Sequence, residues 1–266
     1  MWSNEVAVSL VPEQVSQLDD QGFLLLEGLL PADARQALRT RIAELFAEEG
    51  EAAGSDFKQE AGARRLANLV NKGDVFHQVV DHPTVLPIVS YLLGDDLKLS
   101  SLNARSANAH SGQPQPLHAD MAAVADDKGY WVANVVWMLD DFTETNGTLR
   151  VVPGSHKWGQ LPQDVLEDPV ARHPDEQLVI GRAGDVIVMN AHLWHAGLEN
   201  RSSSDRLALH SFYCRRDKPQ QQYQKQMLST NIQSRLSPQL REILALDDPL
   251  NDELSSQDVV RSGFMK

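Results

Sequence analysis

His118, Asp120 and His195 are side chains of the kind that hold a divalent metal, and Arg206 follows eleven positions after the last of them. Two imidazoles and one carboxylate can occupy one face of a non-haem Fe(II), leaving the opposite face open for ligands and oxygen. The arginine adds a fixed cation suited to gripping a carboxylate on an organic cosubstrate, which a bare metal site does not require. Residues i and i+2 of a strand project to the same face, so His118 and Asp120 can bind one ion together. The third member lies in Asn190-Ala191-His192-Leu193-Trp194-His195-Ala196-Gly197, directly after the Gly184-Asp185 turn and the run Val186 to Met189. His192 competes with His195 for the ligand position. His195 is preferred for its spacing to Arg206 across the polar turn Asn200 to Asp205, which leaves His192 as a pocket-wall residue.

Such side chains need a rigid frame. From Leu97 the chain consists of short apolar runs separated by Gly, Pro, Asn and Asp, the pattern of an all-β sandwich or barrel. The expected strands are Lys98 to Asn108, Tyr130 to Leu139, Thr148 to Val152, Gln177 to Ile180, Asp185 to Asn190 and Arg206 to Arg215. In the last of these, alternation places Arg206, Ala208, His210 and Phe212 on one face and Leu207, Leu209, Ser211 and Tyr213 on the other. The rest of that strand is nearly uncharged, so a buried Arg206 needs an anionic partner, which need not be protein. His210 shares its face and is a further pocket candidate.

The N-terminal third reads as helical support. Helices are expected over Val11 to Gly22, Pro31 to Glu49 and Val85 to Leu93, with a short strand Phe23 to Leu26 after the first and a polar loop over Glu51 to Gly62. We expect residues 1–96 to be mostly helical, 97–216 to form the β core and 217–266 to be a tail with helical character over Pro238 to Leu246, all within one domain.

Composition narrows the function classes. The 266 residues carry a formal charge of −13, from 24 basic and 37 acidic side chains, which argues against nucleic acid or an anionic membrane as partner and favours a small-molecule substrate. A single cysteine, Cys214, excludes an internal disulfide and any thiolate-rich zinc site. Neither a leader peptide nor a membrane span is legible, and Phe264-Met265-Lys266 is no peroxisomal address, so a cytoplasmic location is expected. Oligomeric state is not encoded in these features.

With these residues in view, the chain resembles the phytanoyl-CoA dioxygenase family of Fe(II)/2-oxoglutarate-dependent oxygenases. The resemblance runs from Asp20-Gln21-Gly22-Phe23-Leu24-Leu25-Leu26-Glu27-Gly28 through His82-Pro83 and Leu92-Leu93-Gly94 to Arg206. Its most specific pieces are Leu117-His118-Ala119-Asp120, Asn146-Gly147-Thr148-Leu149-Arg150-Val151-Val152-Pro153-Gly154-Ser155-His156 and Trp194-His195-Ala196-Gly197-Leu198-Glu199-Asn200-Arg201-Ser202. It implies a double-stranded β-helix, or jelly-roll, with His118, Asp120 and His195 on iron and Arg206 on the C5 carboxylate of 2-oxoglutarate. By similarity to related hydroxylases it also implies Asn134 beside that carboxylate and Asn108 near the C1 carboxylate. Strand asparagines bonded to backbone are the other reading of both. Halogenating relatives replace the metal carboxylate with a small residue, so Asp120 implies oxygen insertion. Met121 to Gly129, with Trp131, is the expected lid or pocket wall; Trp131 fits core packing equally.

The implied reaction oxidises an unactivated C–H bond of a small molecule such as a secondary metabolite, with O2 as cosubstrate. Three alternatives stand beside it. An acyl-CoA hydroxylase of the same family lacks a visible basic cluster for the CoA phosphate, a zinc hydrolase leaves Arg206 without a purpose, and a non-catalytic ligand-binding jelly-roll would be expected to have lost a ligand.

Overall fold

Strand β4 (Val132–Met138) shows why two layers must cover the central sheet, because all seven of its residues are buried. Val135 and Trp137 point to one side, where they join Val186, Val188, Leu207, Leu209 and Tyr213 against helical residues Leu38, Ile42, Val85 and Val89. Val136 and Met138 point to the other side, meeting Ile187, Met189 and Ala208 and the second-sheet residues Val151 and Val179. A strand apolar on both faces is stable only between two packed layers.

The computed structural model describes residues 10–57, 59–112 and 114–256. The remaining strands are β1 (Phe23–Leu26), β2 (Ala63–Leu66), β3 (Leu97–Ala107), β5 (Leu149–Val151), β6 (Gln177–Val179), β7 (Val186–Asn190), β8 (His195–Gly197) and β9 (Arg206–Arg215). A six-stranded sheet runs β1-β7-β4-β9-β3-β2, a three-stranded sheet runs β6-β5-β8, and every pairing is antiparallel. This is the jelly-roll that the resemblance implies, with the expected strands present and their ends moved by a residue or two.

The helices are α1 (Pro12–Gln21), α2 (Ala32–Glu49), α3 (His77–Val80), α4 (Val85–Leu93), α5 (Pro162–Val165), α6 (Gln224–Met227), α7 (Thr230–Gln233), α8 (Pro238–Ile243) and α9 (Pro249–Ser256). Helix α1 ends at Gly22, whose φ of 86° is open to glycine at no steric cost. Its hydrogen also matters for packing, since a Cβ there would lie 2.5 Å from Nδ1 of His156.

One expectation needs revision. The N-terminal third is not only support, because β1 and β2 form the two edges of the large sheet. Strand β2 lacks a period-2 apolar signal: it is Ala-Arg-Arg-Leu, and its pairing with β3 decides its conformation. The tail also packs on β3. The buried ammonium of Lys98 donates to the Arg216 carbonyl at 2.9 Å and to Oδ1 of Asn251 at 2.8 Å, joining strand to tail. No helix among the described residues is long and apolar enough to cross a membrane. Residues 1–9 and 257–266, on which the targeting expectations rest, lie outside the described residues.

Candidate active site

His118 and Asp120 lie in the connection between β3 and β4, and His195 opens β8. The expectation of a strand carrying the first pair is corrected. His118 forms only an isolated bridge to His195, and Asp120 begins a single 3-10 turn after its N–H donates to the Ala191 carbonyl at 2.9 Å. The segment is held by β8 and by Ala191 just after β7. Met121 and Ala122 then adopt left-handed φ angles of 60° and 47°. Such backbone costs energy in non-glycine residues and collects at functional sites.

The three side chains converge, with potential ligand atoms all within 4.8 Å of one another. Nε2 of His118 is 3.6 Å from Oδ1 of Asp120, and Nε2 of His195 is 3.4 Å from Oδ2. Each imidazole is oriented by its own backbone: Nδ1 of His118 meets the Pro116 carbonyl at 2.9 Å and Nδ1 of His195 meets the Leu193 carbonyl at 2.7 Å. A carbonyl only accepts, so Nδ1 carries the hydrogen in both rings and the Nε2 lone pairs face the shared centre. Burial alone would raise the Asp120 carboxyl, but without a metal the protonated forms of His195 and His118 hold it well below the usual carboxylate range, the place a metal cation would take. Nδ2 of Asn134 donates to its Oδ2 at 3.0 Å.

The triad opens into a cavity of about 600 Å³ that Arg206 also lines. Arg206 is 3% exposed; its Nη2 donates to the Gly147 carbonyl and its guanidinium lies 4.1 Å from the Phe142 ring centre. Its Nε is enclosed without a hydrogen bond, and among the described residues it makes no ion pair. Burial, then repulsion from Arg105, pulls the guanidinium down to about 9, so it is still a cation at neutral pH. Two further arginines line the wall, Arg65 on β2 and Arg105 on β3, and both grip Glu60. Burial would raise the Glu60 carboxyl, but Arg105 and Arg65 hold it at about 2.

The structure brings His118, Asp120, His195, Arg206, Asn134, Met121 and His210 to this one cavity. It leaves three expected residues outside. Asn108 sits in the turn after β3, donating its N–H to the Gly62 carbonyl at 3.0 Å, and is not part of the wall. Trp131 and His192 pack edge to face at 5.7 Å, with Nδ1 of His192 on Oδ1 of Asn190 at 2.8 Å, as a cluster beside the cavity. Asn134 also differs from expectation. Its row of the sheet contains Phe212, six residues along β9 from Arg206, and its amide holds Asp120.

Sequence reasoning missed Arg65, Arg105, Glu60, Gln115 and Gln221 in the wall. Arg105 was detectable: Ser101, Asn103 and Arg105 alternate as polar residues in a strand otherwise fit for burial. Glu60 and Gln221 carry no comparable periodic signal, since loop and tail geometry bring them in.

Comparison with known proteins places this geometry. The phytanoyl-CoA dioxygenase (PhyH) profile matches residues 18–208, most of the chain, and spans all four residues of the triad and Arg206. The chain belongs to the phytanoyl-CoA dioxygenase family. Relatives include dioxygenase af480 of Aspergillus fumigatus, 33% identical over 169 residues that cover 62% of this chain and 53% of that protein. The chain therefore matches about half the length of that relative. Dioxygenase trt7 of Aspergillus terreus is 28% identical, covering 74% of this chain and 71% of its own.

Solved structures of similar fold include HygX of Streptomyces hygroscopicus with nickel and 2-oxoglutarate bound, at 20% identity and TM-score 0.61, covering 78% of this chain and 88% of HygX. Another is the non-haem α-ketoglutarate-dependent carbocyclase SnoK from nogalamycin biosynthesis, at 24% identity and TM-score 0.63, covering 78% and 85%. EctD from S. alaskensis with bound Fe has TM-score 0.64 at 20% identity, covering 80% and 79%.

Proposed function

We propose that this phytanoyl-CoA dioxygenase family member is an Fe(II)- and 2-oxoglutarate-dependent oxygenase that oxidises an unactivated C–H bond of a small molecule, with secondary metabolites as the substrate class. One observation carries the reading: a buried cation, Arg206, has no carboxylate partner among the described residues and shares its cavity with a two-histidine, one-carboxylate cluster. The donor set fits the metal, because both Nε2 lone pairs and an ionised carboxylate face one point. The enclosed, unbonded Nε of Arg206 fits a carboxylate of the cosubstrate. Bound together, Fe(II), 2-oxoglutarate and O2 supply the oxidising power, with succinate and carbon dioxide as by-products.

The protein's own work is positional. His118 and His195 present fixed lone pairs, Asn134 holds one oxygen of Asp120, and Arg206 with the Phe142 ring forms the far anchor. Met121, Ala122 and Phe212 give the wall an apolar side that keeps water from a bound hydrocarbon skeleton. The class of substrate is supported by HygX, solved with hygromycin B bound, and by SnoK from nogalamycin biosynthesis. Against an acyl-CoA stands the commitment of Arg65 and Arg105 to Glu60.

Anaerobic addition of Fe(II) and 2-oxoglutarate is the test. A weak visible charge-transfer band is expected, absent from His118→Ala and weakened in Arg206→Ala. A protein that binds iron without this band, and releases no succinate with any member of a metabolite panel, sinks the reading.

A further inference from the structure

The inner face of the β3–β9 pair is graded along its length. Arg206 pairs with Ala107 at one end and Phe212 with Ser101 toward the other. Those rows are separated by six residues, or roughly 20 Å along a strand. Asn134, bonded to Asp120, belongs to the Phe212 row, so the Ser101 backbone lies in the row of the triad's partner Asn134, six residues along the sheet from the row that starts at Arg206. Into that end the tail inserts Gln221, a residue beyond the 18–208 stretch shared with the family.

The neighbours of Gln221 are structural. Gln220 and Gln222 are buried; Nε2 of Gln220 donates to the Leu99 and Leu244 carbonyls at 2.8 and 3.0 Å. Gln222 starts a directional relay. The Leu102 N–H donates to its Oε1 at 3.3 Å, so its Nε2 must be the atom that donates to Oδ1 of Asn103 at 2.6 Å. Nδ2 of Asn103 then donates to Oγ of Ser101 at 3.1 Å, and that hydroxyl donates to Oε1 of Gln221 at 2.5 Å. With Oε1 occupied and its backbone N–H on Oγ of Ser100 at 2.8 Å, the side-chain Nε2 is the one donor group of Gln221 left. Gln221 lines the cavity, and its Nε2 has no hydrogen-bond partner among the described residues.

We propose that Gln221 is a specificity-determining residue: its Nε2 donates a hydrogen bond to an uncharged oxygen, a carbonyl foremost, on the substrate. The inference rests on the oxygenase reading and names its substrate class, a compact oxygenated skeleton in place of a plain hydrocarbon chain. The β3 and β4 rows lie two strand spacings apart, so this oxygen sits on the order of 10 Å from Asn134 on β4. Phe212 and Met121 flank the route between them. A donor held this way rejects an analogue lacking the acceptor, because the amide stays unpaired.

Camphor, borneol and camphene are probes of one size that carry a ketone, a hydroxyl and no oxygen. Their binding to the Zn(II)- and 2-oxoglutarate-loaded protein is measured by ligand-observed NMR, with the Fe(II)/2-oxoglutarate band recorded separately for each variant. The wild type is expected to bind camphor about fivefold to tenfold more tightly than camphene, the size of one hydrogen bond. Gln221→Leu brings camphor to the level of camphene. Gln221→Glu, an acceptor only, reverses the order so that borneol exceeds camphor. A wild type that binds camphor no better than camphene overturns the proposal, and so does a camphor preference that survives in Gln221→Leu. The band distinguishes the two levels: its absence from wild type counts against the oxygenase, whereas a normal band with no camphor preference counts against Gln221 alone.

Discussion

Arg150 in β5 and Arg206 at the start of β9 are both buried guanidinium groups in the same jelly-roll, with opposite surroundings. Arg150 is fully enclosed and donates to Glu176 at 3.0 Å and to the carbonyls of Ala171, Gln115, Pro169 and Val170. Only its Nε lacks a bond. Among the described residues Arg206 has one carbonyl and an aromatic face, and no carboxylate. A buried charge is tolerated when the protein compensates it, so the first arginine is complete as a structural post, whereas the second is complete only with a ligand.

The comparison can be broken at several points. The largest effect is expected at the metal: Asp120→Ala lowers succinate release by at least about a thousandfold, since the whole metal chemistry is lost, with the melting temperature kept. Unfolding on this substitution would mean that the triad, like Arg150, is a structural post. Next comes Arg150→Met, which leaves four carbonyls without the guanidinium donor and the Glu176 carboxylate with only Arg172 and the His173 N–H among the described residues, and costs about 3–5 kcal/mol, seen as a drop of roughly 10 °C in a thermal melt. Added 2-oxoglutarate does not restore it.

Arg206→Met is expected to do the reverse. Calorimetric titration should show 2-oxoglutarate affinity lower by about 10- to 100-fold, the worth of a charged hydrogen-bonded pair, while the unliganded protein melts no lower than wild type. Equal loss of stability in the two methionine variants would erase the distinction drawn here.

The smallest effect extends the comparison to histidine. His192 is 3% exposed, and burial holds its imidazole down at about 3, against an ordinary 6.5. Between those values the unfolded chain binds the extra proton, so stability is intact above pH 6.5 and falls as pH drops, by up to about 1.4 kcal/mol per pH unit. His192→Gln should flatten that part of the acid limb in urea melts; an unchanged slope would show that His192 titrates normally.

Much of the frame was legible. Short apolar runs bounded by Gly, Pro, Asn and Asp located β3, β4, β7 and β9, and alternation assigned the faces of β9 so that Arg206, His210 and Phe212 share the cavity while Leu207, Leu209 and Tyr213 pack on helices. Local residue chemistry also marked the turn at Gly184-Asp185, where Gly184 has a φ of 109°. The edges were less legible. Strand β2 is formed by residues without a strand pattern, and the Glu51 to Gly62 loop hides Glu60, whose role depends on two arginines that are distant or unremarkable in sequence. Asn108 shows the same limit, because a turn redirects a short amide completely.

The sequence by itself determined the chemistry on offer: two imidazoles, a carboxylate and an uncompensated arginine, at spacings that belong to one family. Their types are local properties that no fold can change. The tertiary structure supplied the physical reason that His195 and not His192 closes the cluster, since backbone carbonyls turn the Nε2 atoms of His118 and His195 toward Asp120 while Asn190 holds His192 elsewhere. It alone brought Gln221 from the tail to the far wall, through a relay of hydrogen bonds across β3. Such contacts join residues about 120 positions apart, and direction at that range is set by packing, which linear spacing does not encode.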